Sequence, residues 1–133
     1  MGRANCLIVS CEHGGNDVPS EFAELFRGRK RLLASHRGFD PGTLELATIC
    51  ARRLKAPLVV STVTRLLVDL NRSPGHRAQF SELTRELPDQ TRQDIVARYY
   101  LPHRRRVESL AQRAIRGGTV AIHVSVHSFT PVR

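Results

Sequence analysis

The chain of 133 residues has no tryptophan, and its two tyrosines and five phenylalanines bring aromatic residues to only 5%. So few aromatic platforms argue against a surface that stacks the bases of single strands. Lysine is nearly absent: Lys30 and Lys55 are the only two, and arginine supplies the rest of the 21 basic side chains. No apolar run nears the ~20 residues that a bilayer-spanning helix needs. Arg3 is followed by no apolar stretch long enough for an export signal. Cysteine is scarce and odd in number. Cys6, Cys11 and Cys50 lack zinc-knuckle spacing and read as reduced, mostly packed thiols of a cytoplasmic protein. Cys11, two residues from His13, could also be a nucleophile, the rarer role for a cysteine at the end of an apolar run.

What is there is ordinary in proportion: 41% hydrophobic and 25% charged residues, as in a soluble globular domain with one modest core. The net charge of +9 is not ordinary. Such basicity raises a nucleic-acid-binding module as one reading. The arginines are dispersed, however, and their densest run is Arg104-Arg105-Arg106. The other reading is a solvated basic face with a few arginines that bind small anions.

Periodicity places the elements. Leu7 to Ser10 is a buried strand that breaks into Cys11-Glu12-His13-Gly14-Gly15-Asn16. A strand end followed by a glycine pair is how α/β enzymes present a reactive group to a crevice. A capped turn with a surface histidine is the plainer alternative. Pro19-Ser20-Glu21 opens a short helix through Phe26, and residues 27–37 read as loop. Thr43–Leu54 reads as a helix with Leu46, Ile49, Cys50 and either Arg53 or Leu54 along one side. Leu58–Ser61 is a second strand, which closes a βαβ unit, and the run from Leu66 to Arg72 reads as a third strand that passes into polar residues. Residues 73–88 read as loop. A long helix over 89–116 buries Ile95, Tyr99, Val107, Leu110 and Ala114, with a kink or break at Pro102 and a stop at Gly117-Gly118. In the strand from Thr119 to His127, Val120, Ile122, Val124 and Val126 take one face; Ala121, His123, Ser125 and His127 take the other. Strand ends in a parallel sheet share one edge, so His13, Asp69-Asn71-Arg72 and His127-Ser128 gather there. Two imidazoles with a carboxylate nearby suit a zinc ion that keeps one position open.

Five segments now resemble one family. They are His13-Gly14-Gly15 with Val18-Pro19, the run from His36 to Gly42, the run from Arg65 to Ser73, Tyr99 to Arg104, and His123 to Pro131. In this order they are similar to the N-formylglutamate amidohydrolases, relatives of the zinc carboxypeptidases and aspartoacylases. The resemblance spans Leu7 to Pro131. It implies a three-layer α/β/α sandwich with a mixed, mostly parallel sheet. It also implies a zinc hydrolase that cleaves the C–N amide bond of an N-acyl acidic amino acid. His13 matches the first metal-ligand position and His127 the last. Where the carboxypeptidase-like relatives place a Glu three residues after the first His, this chain has Asn16. Asp40 is the candidate for that second ligand, ahead of Glu12. Asn71 and Arg72 match the segment that binds the substrate carboxylate, a task suited to the planar fork of arginine. Asp69 would orient Arg72 or a ligand histidine. Arg104 and Ser128 are further candidate substrate contacts, though Arg104 also reads as part of a solvated helix face.

Members of that family run to about twice this length, and their acidic general base lies beyond the strand that ends here at His127. Residues 1–133 are therefore expected to be one domain of this type, incomplete at its C-terminus. Glu12 is the only acid close to His13 in sequence that could stand in as base. The strand from Val120 would form an open apolar edge and favour self-association. The alternatives to an amidohydrolase are the nucleic-acid module and a non-catalytic fragment that binds metal or ligand.

Overall fold

The structure is a computed structural model that describes residues 4–131; residues 1–3, 132 and 133 lie outside the described residues. The apolar run at the start becomes β1 (Asn5–Cys11), the central strand. A 3₁₀ helix, Ser20–Phe26, follows the His13 turn. The basic segment expected to be loop contains one helical turn, α1 (Lys30–Leu33). Then come α2 (Thr43–Leu54), β2 (Leu58–Val60), α3 (Asp89–Ile95), a π-helical turn over Val96–Tyr100, α4 (Leu101–Arg116) and β3 (Val120–Ser125). The strand order is β2-β1-β3, and both pairings are parallel. The described part of the sheet is thus parallel, in keeping with the mostly parallel sheet that the family resemblance implied. Helices lie on both faces. Ala47 and Ala51 of α2 pack on Val9, Cys11 and Val126. On the face that carries Ser10 and Ser125, His103 of α4 approaches Glu12.

Three expectations need correction. First, Leu66–Leu70 is not a strand but a series of turns. Leu66, Leu67, Val68 and Leu70 are nevertheless buried, packed with Phe26, Ile95 and Tyr100. A buried loop must satisfy its backbone without a ladder. Here the segment expected to be loop supplies the partners: Ser81 Oγ donates to the Leu66 carbonyl, Thr84 Oγ1 donates to that of Leu67 at 3.1 Å, and the Asp69 N–H donates to the Gln79 carbonyl at 2.7 Å. An apolar run alone does not distinguish this from a strand.

Second, α2 buries Thr43, Ala47 and Ala51, while Leu46, Ile49 and Leu54 stay exposed. Alanines allow the helix to approach β1 closely, so the small residues and not the large ones face the sheet. Third, the helix over 89–116 runs on through Pro102, its expected irregularity there taking the form of a π turn over Val96–Tyr100, and it buries a different tyrosine from the one expected. Proline cannot donate to the carbonyl four residues back. The π turn just before it adds a residue and rotates the face. Tyr100 therefore becomes fully buried in place of Tyr99, whose hydroxyl instead donates to Glu21 at 2.7 Å.

β3 pairs only with β1, so its outer edge is open among the described residues. Val124 lies opposite Val9 and shares the α2 side of the sheet with Val120 and Ile122; all three are more than a third exposed. The exposed Leu46 and Ile49 of α2 lie on that same side. This open, apolar edge is expected to drive self-association. Sedimentation velocity should show mass rising with concentration, and Ile122→Lys should shift the chain toward monomer. A concentration-independent monomer in the unaltered chain would refute the expectation.

Candidate functional site

Strand register brings the two histidines together. Ser10 of β1 lies opposite Ser125 of β3, so the chain leaves both strands at the same level. The His13 and His127 rings end up 5.3 Å apart, edge to face. The glycine pair serves backbone crossing at this level. A Cβ on Gly15 would stand 2.8 Å from the Thr62 carbonyl oxygen, where the chain beyond β2 runs past. Gly38 does the same for the third member. A Cβ there would lie 2.1 Å from the Leu33 carbonyl, so only glycine lets this loop fold back. The Gly38 carbonyl accepts from Thr64 Oγ1 at 2.8 Å, and the Asp40 N–H donates to the His13 carbonyl at 2.9 Å. Asp40 is thereby delivered against both rings.

In the neutral rings that a metal would bind, the hydrogen bonds settle which nitrogen each ring presents. His13 Nε2 lies 2.8 Å from Asp69 Oδ1. An ionised carboxylate only accepts, so Nε2 carries the proton and Nδ1 presents a lone pair. That Nδ1 faces Asp40 Oδ2 at 3.4 Å. On the other side, Ser125 Oγ donates its one proton to Glu12 Oε2 at 2.8 Å and so accepts from His127 Nε2 at 2.8 Å. His127 Nδ1 is then also a lone pair, 3.0 Å from the same Asp40 Oδ2. Three electron-rich atoms converge, and a positive charge between them relieves their repulsion. His13, Asp40 and His127 offer ligand atoms that all lie within 4.8 Å of one another, a group able to hold a metal ion. The carboxylates behind the two rings are the usual outer partners of metal-binding imidazoles.

Asp69 does more than orient His13. Its Oδ1 also accepts the Asn71 N–H at 2.9 Å, and its Oδ2 accepts from Arg65 at 2.8 Å and lies 3.9 Å from Arg72 Nε. Arg65 reaches Asp40 Oδ1 at 3.4 Å as well, bridging the two buried acids. Sequence reasoning passed over Arg65; its place four residues before Asp69 was the available signal. It also passed over Ser125 and His103. Ser125 shares the strand face of His127, and His103 sits in the same short motif as Arg104.

Asn71, Arg72 and Arg104 line a cavity of about 420 Å³ with Glu12, His103, His123 and Ser125. The metal-ligand candidates do not line it; Glu12 and Ser125 form the wall between. Arg104 donates to the Arg72 carbonyl at 3.2 Å, and Tyr100 donates to the same oxygen at 2.6 Å, so α4 clamps the loop that carries Arg72. Ser128 is not brought to the cavity: its hydroxyl donates to the Pro41 carbonyl at 3.0 Å. Cys11 is packed, with Sγ 3.4 Å from Thr43 Oγ1, and burial pushes its thiol up, away from a thiolate nucleophile.

Burial alone would raise the Glu12 carboxyl. The nearby His103 imidazole, 3.6 Å away, and the hydroxyls of Ser10 and Ser125 outweigh it and bring it down to about 2. Burial opposes ionisation of Asp69 too, but His13, Arg65 and the Asn71 N–H hold it at about 2. Both groups are depressed on folding, so each stabilises the fold above its unfolded value near 4, and that gain is lost as pH falls toward 2. For Asp69 it is on the order of 2 kcal/mol. Acid titration of metal-free chain should therefore show stability falling between pH 4 and 2. In Asp69→Asn that fall should be shallower; an unchanged acid limb would contradict the role given to Asp69.

The family model for N-formylglutamate amidohydrolase matches residues 5–133. The crystal structure of a gene product from Agrobacterium tumefaciens superposes with a TM-score of 0.87 at 26% identity, covering 98% of this chain. This chain spans 55% of that protein's length. No curated protein shows a significant match. Together with the five motifs and the α/β scaffold that joins their ends, the match over residues 5–133 places this chain in the N-formylglutamate amidohydrolase family.

Proposed function

We propose that this chain carries the metal-binding and substrate-binding parts of a zinc-dependent, cytoplasmic amidohydrolase acting on the C–N amide bond of an N-acyl acidic amino acid. The observation that supports it is the convergence of His13 Nδ1, His127 Nδ1 and Asp40 Oδ2, with each imidazole held from behind by a hydrogen-bond partner, His13 by the buried Asp69 and His127 by Ser125. Zinc bound there would supply a Lewis acid and lower the pKa of a coordinated water toward ~7. The chain's own residues do the rest. Asp69 keeps the His13 proton on Nε2, and the Ser125–Glu12 pair keeps that of His127 on Nε2. Arg72 and Asn71 receive a substrate carboxylate in the neighbouring cavity, and Arg104 and Tyr100 hold the loop that presents them. Glu12 is an orienting group in this reading. With Ser10 and Ser125 bonded to its two oxygens and its pKa held at about 2, it is a poor proton acceptor. The three cysteines are free thiols, and no helix of the described residues is long and apolar enough to cross a membrane.

Metal analysis tests the site. The purified chain should bind about one zinc, and His13→Ala, Asp40→Ala and His127→Ala should each abolish it. Asp69→Asn should retain the stoichiometry but weaken affinity, by about 10–100-fold as for other partners behind a ligand. Full zinc content in the His13 and His127 variants would sink the assignment.

Arg72→Lys tests the substrate class. It keeps the charge but loses the bidentate fork, so calorimetry should show N-formyl-L-glutamate binding weakened by about tenfold. Equal affinity would remove Arg72 from the substrate site.

A further inference from the structure

His103 has a side chain only 6% exposed, yet among the described residues neither of its ring nitrogens has a hydrogen-bond partner. The nearest acceptor, Glu12 Oε1, is 3.6 Å away and already takes the Ser10 hydroxyl at 2.7 Å. Buried polar groups are nearly always paired, and an orphan in a cavity wall points to a partner that arrives from outside the chain. His123, the other imidazole of the same cavity, differs in this respect. Its Nε2 donates to Ser10 Oγ at 2.7 Å, so it already has a structural role.

We propose that His103 is a ligand-contacting residue. It donates a ring N–H to an oxygen of a small carboxylate-bearing molecule in the 420 Å³ cavity, beside Arg72, Arg104 and Asn71. The chemistry of the wall favours a carboxylate. Arg72 and Arg104 supply guanidinium donors in excess of the acceptors they meet. Of the two acids in the wall, Glu12 has both oxygens engaged by serine hydroxyls, and Glu108 is exposed to solvent. The π turn before Pro102 sets the device in place: Tyr100 and His103 face inward together, one onto the Arg72 carbonyl and the other into the cavity wall. The inference rests on the cavity reading given above and not on the metal.

Glutarate, a dicarboxylate with no amide, is the probe, and the chain is first freed of metal by chelation. Ring-nitrogen NMR of the unaltered protein should show the His103 signals moving as glutarate is added. Calorimetry should show His103→Phe weakening glutarate by about ten- to hundredfold, the value of one hydrogen bond to a charged group. His103→Gln, which keeps an N–H donor, should recover part of the loss. A residue that only neutralises Glu12 would behave otherwise: His103→Phe would lower the melting temperature and leave glutarate affinity unchanged. That result overturns the proposal, as do His103 ring signals that stay fixed through the titration. If His103→Phe fails to fold, the ring-nitrogen measurement decides alone. Loss of zinc binding with glutarate affinity intact would count against the metal reading and leave this inference standing.

Discussion

Two buried carboxylates behind two imidazoles are the interaction on which this site depends. Asp69 takes the Nε2 proton of His13, and Glu12, acting through Ser125, settles that of His127. Without them either ring could flip its tautomer and turn an N–H toward Asp40, and the three lone pairs would not converge. Both carboxylates are costly to bury, so each is surrounded by donors: Arg65 and the Asn71 N–H for Asp69, two serine hydroxyls for Glu12.

The same groups tie the site to the fold. Asp69 lies within the buried loop whose leucines form the core under Phe26 and Tyr100, so its position is fixed by packing as well as by charge. Arg65 and Gly38 fasten that loop to the one bearing Asp40, since the Arg65 N–H donates to the Gly38 carbonyl at 3.2 Å. The cavity is walled by the far ends of these same segments, which places its arginines one hydrogen-bonded layer from the metal-ligand candidates. The high basicity is partly accounted for in this way. Arg65 serves the buried acids, and Arg27, Arg37, Arg92 and Arg98 pair with acids on the surface.

The residues of the site were legible in the sequence to the extent that they followed strands. His13 and His127 stand just past clear apolar runs, and period-two alternation put Ser125 and His127 on one face. Asp40 was legible only through its motif. Residues that act from helices or loops were harder to see. His103 lies on a polar, arginine-rich helix face, and its burial depends on the π turn. Arg65 was hidden because its two partners come from different loops. The leucine run at Leu66–Leu70 shows the limit most plainly. Its composition demands burial, but whether a ladder or a buried loop meets that demand depends on Ser81, Thr84 and Gln79, which are distant in sequence.

The sequence by itself determined the parallel α/β plan, the strand ends that carry the histidines, and the family. These follow from local apolar periodicity and from residue types at fixed spacing, both properties of short stretches. Tertiary structure alone decided which side of α2 faces the sheet, which tyrosine turns inward, and which nitrogen each histidine presents. Those outcomes depend on contacts between segments far apart in the chain: alanine against strand, hydroxyl against carbonyl, carboxylate against imidazole. No local pattern encodes such pairings, because each is settled only when the second partner arrives.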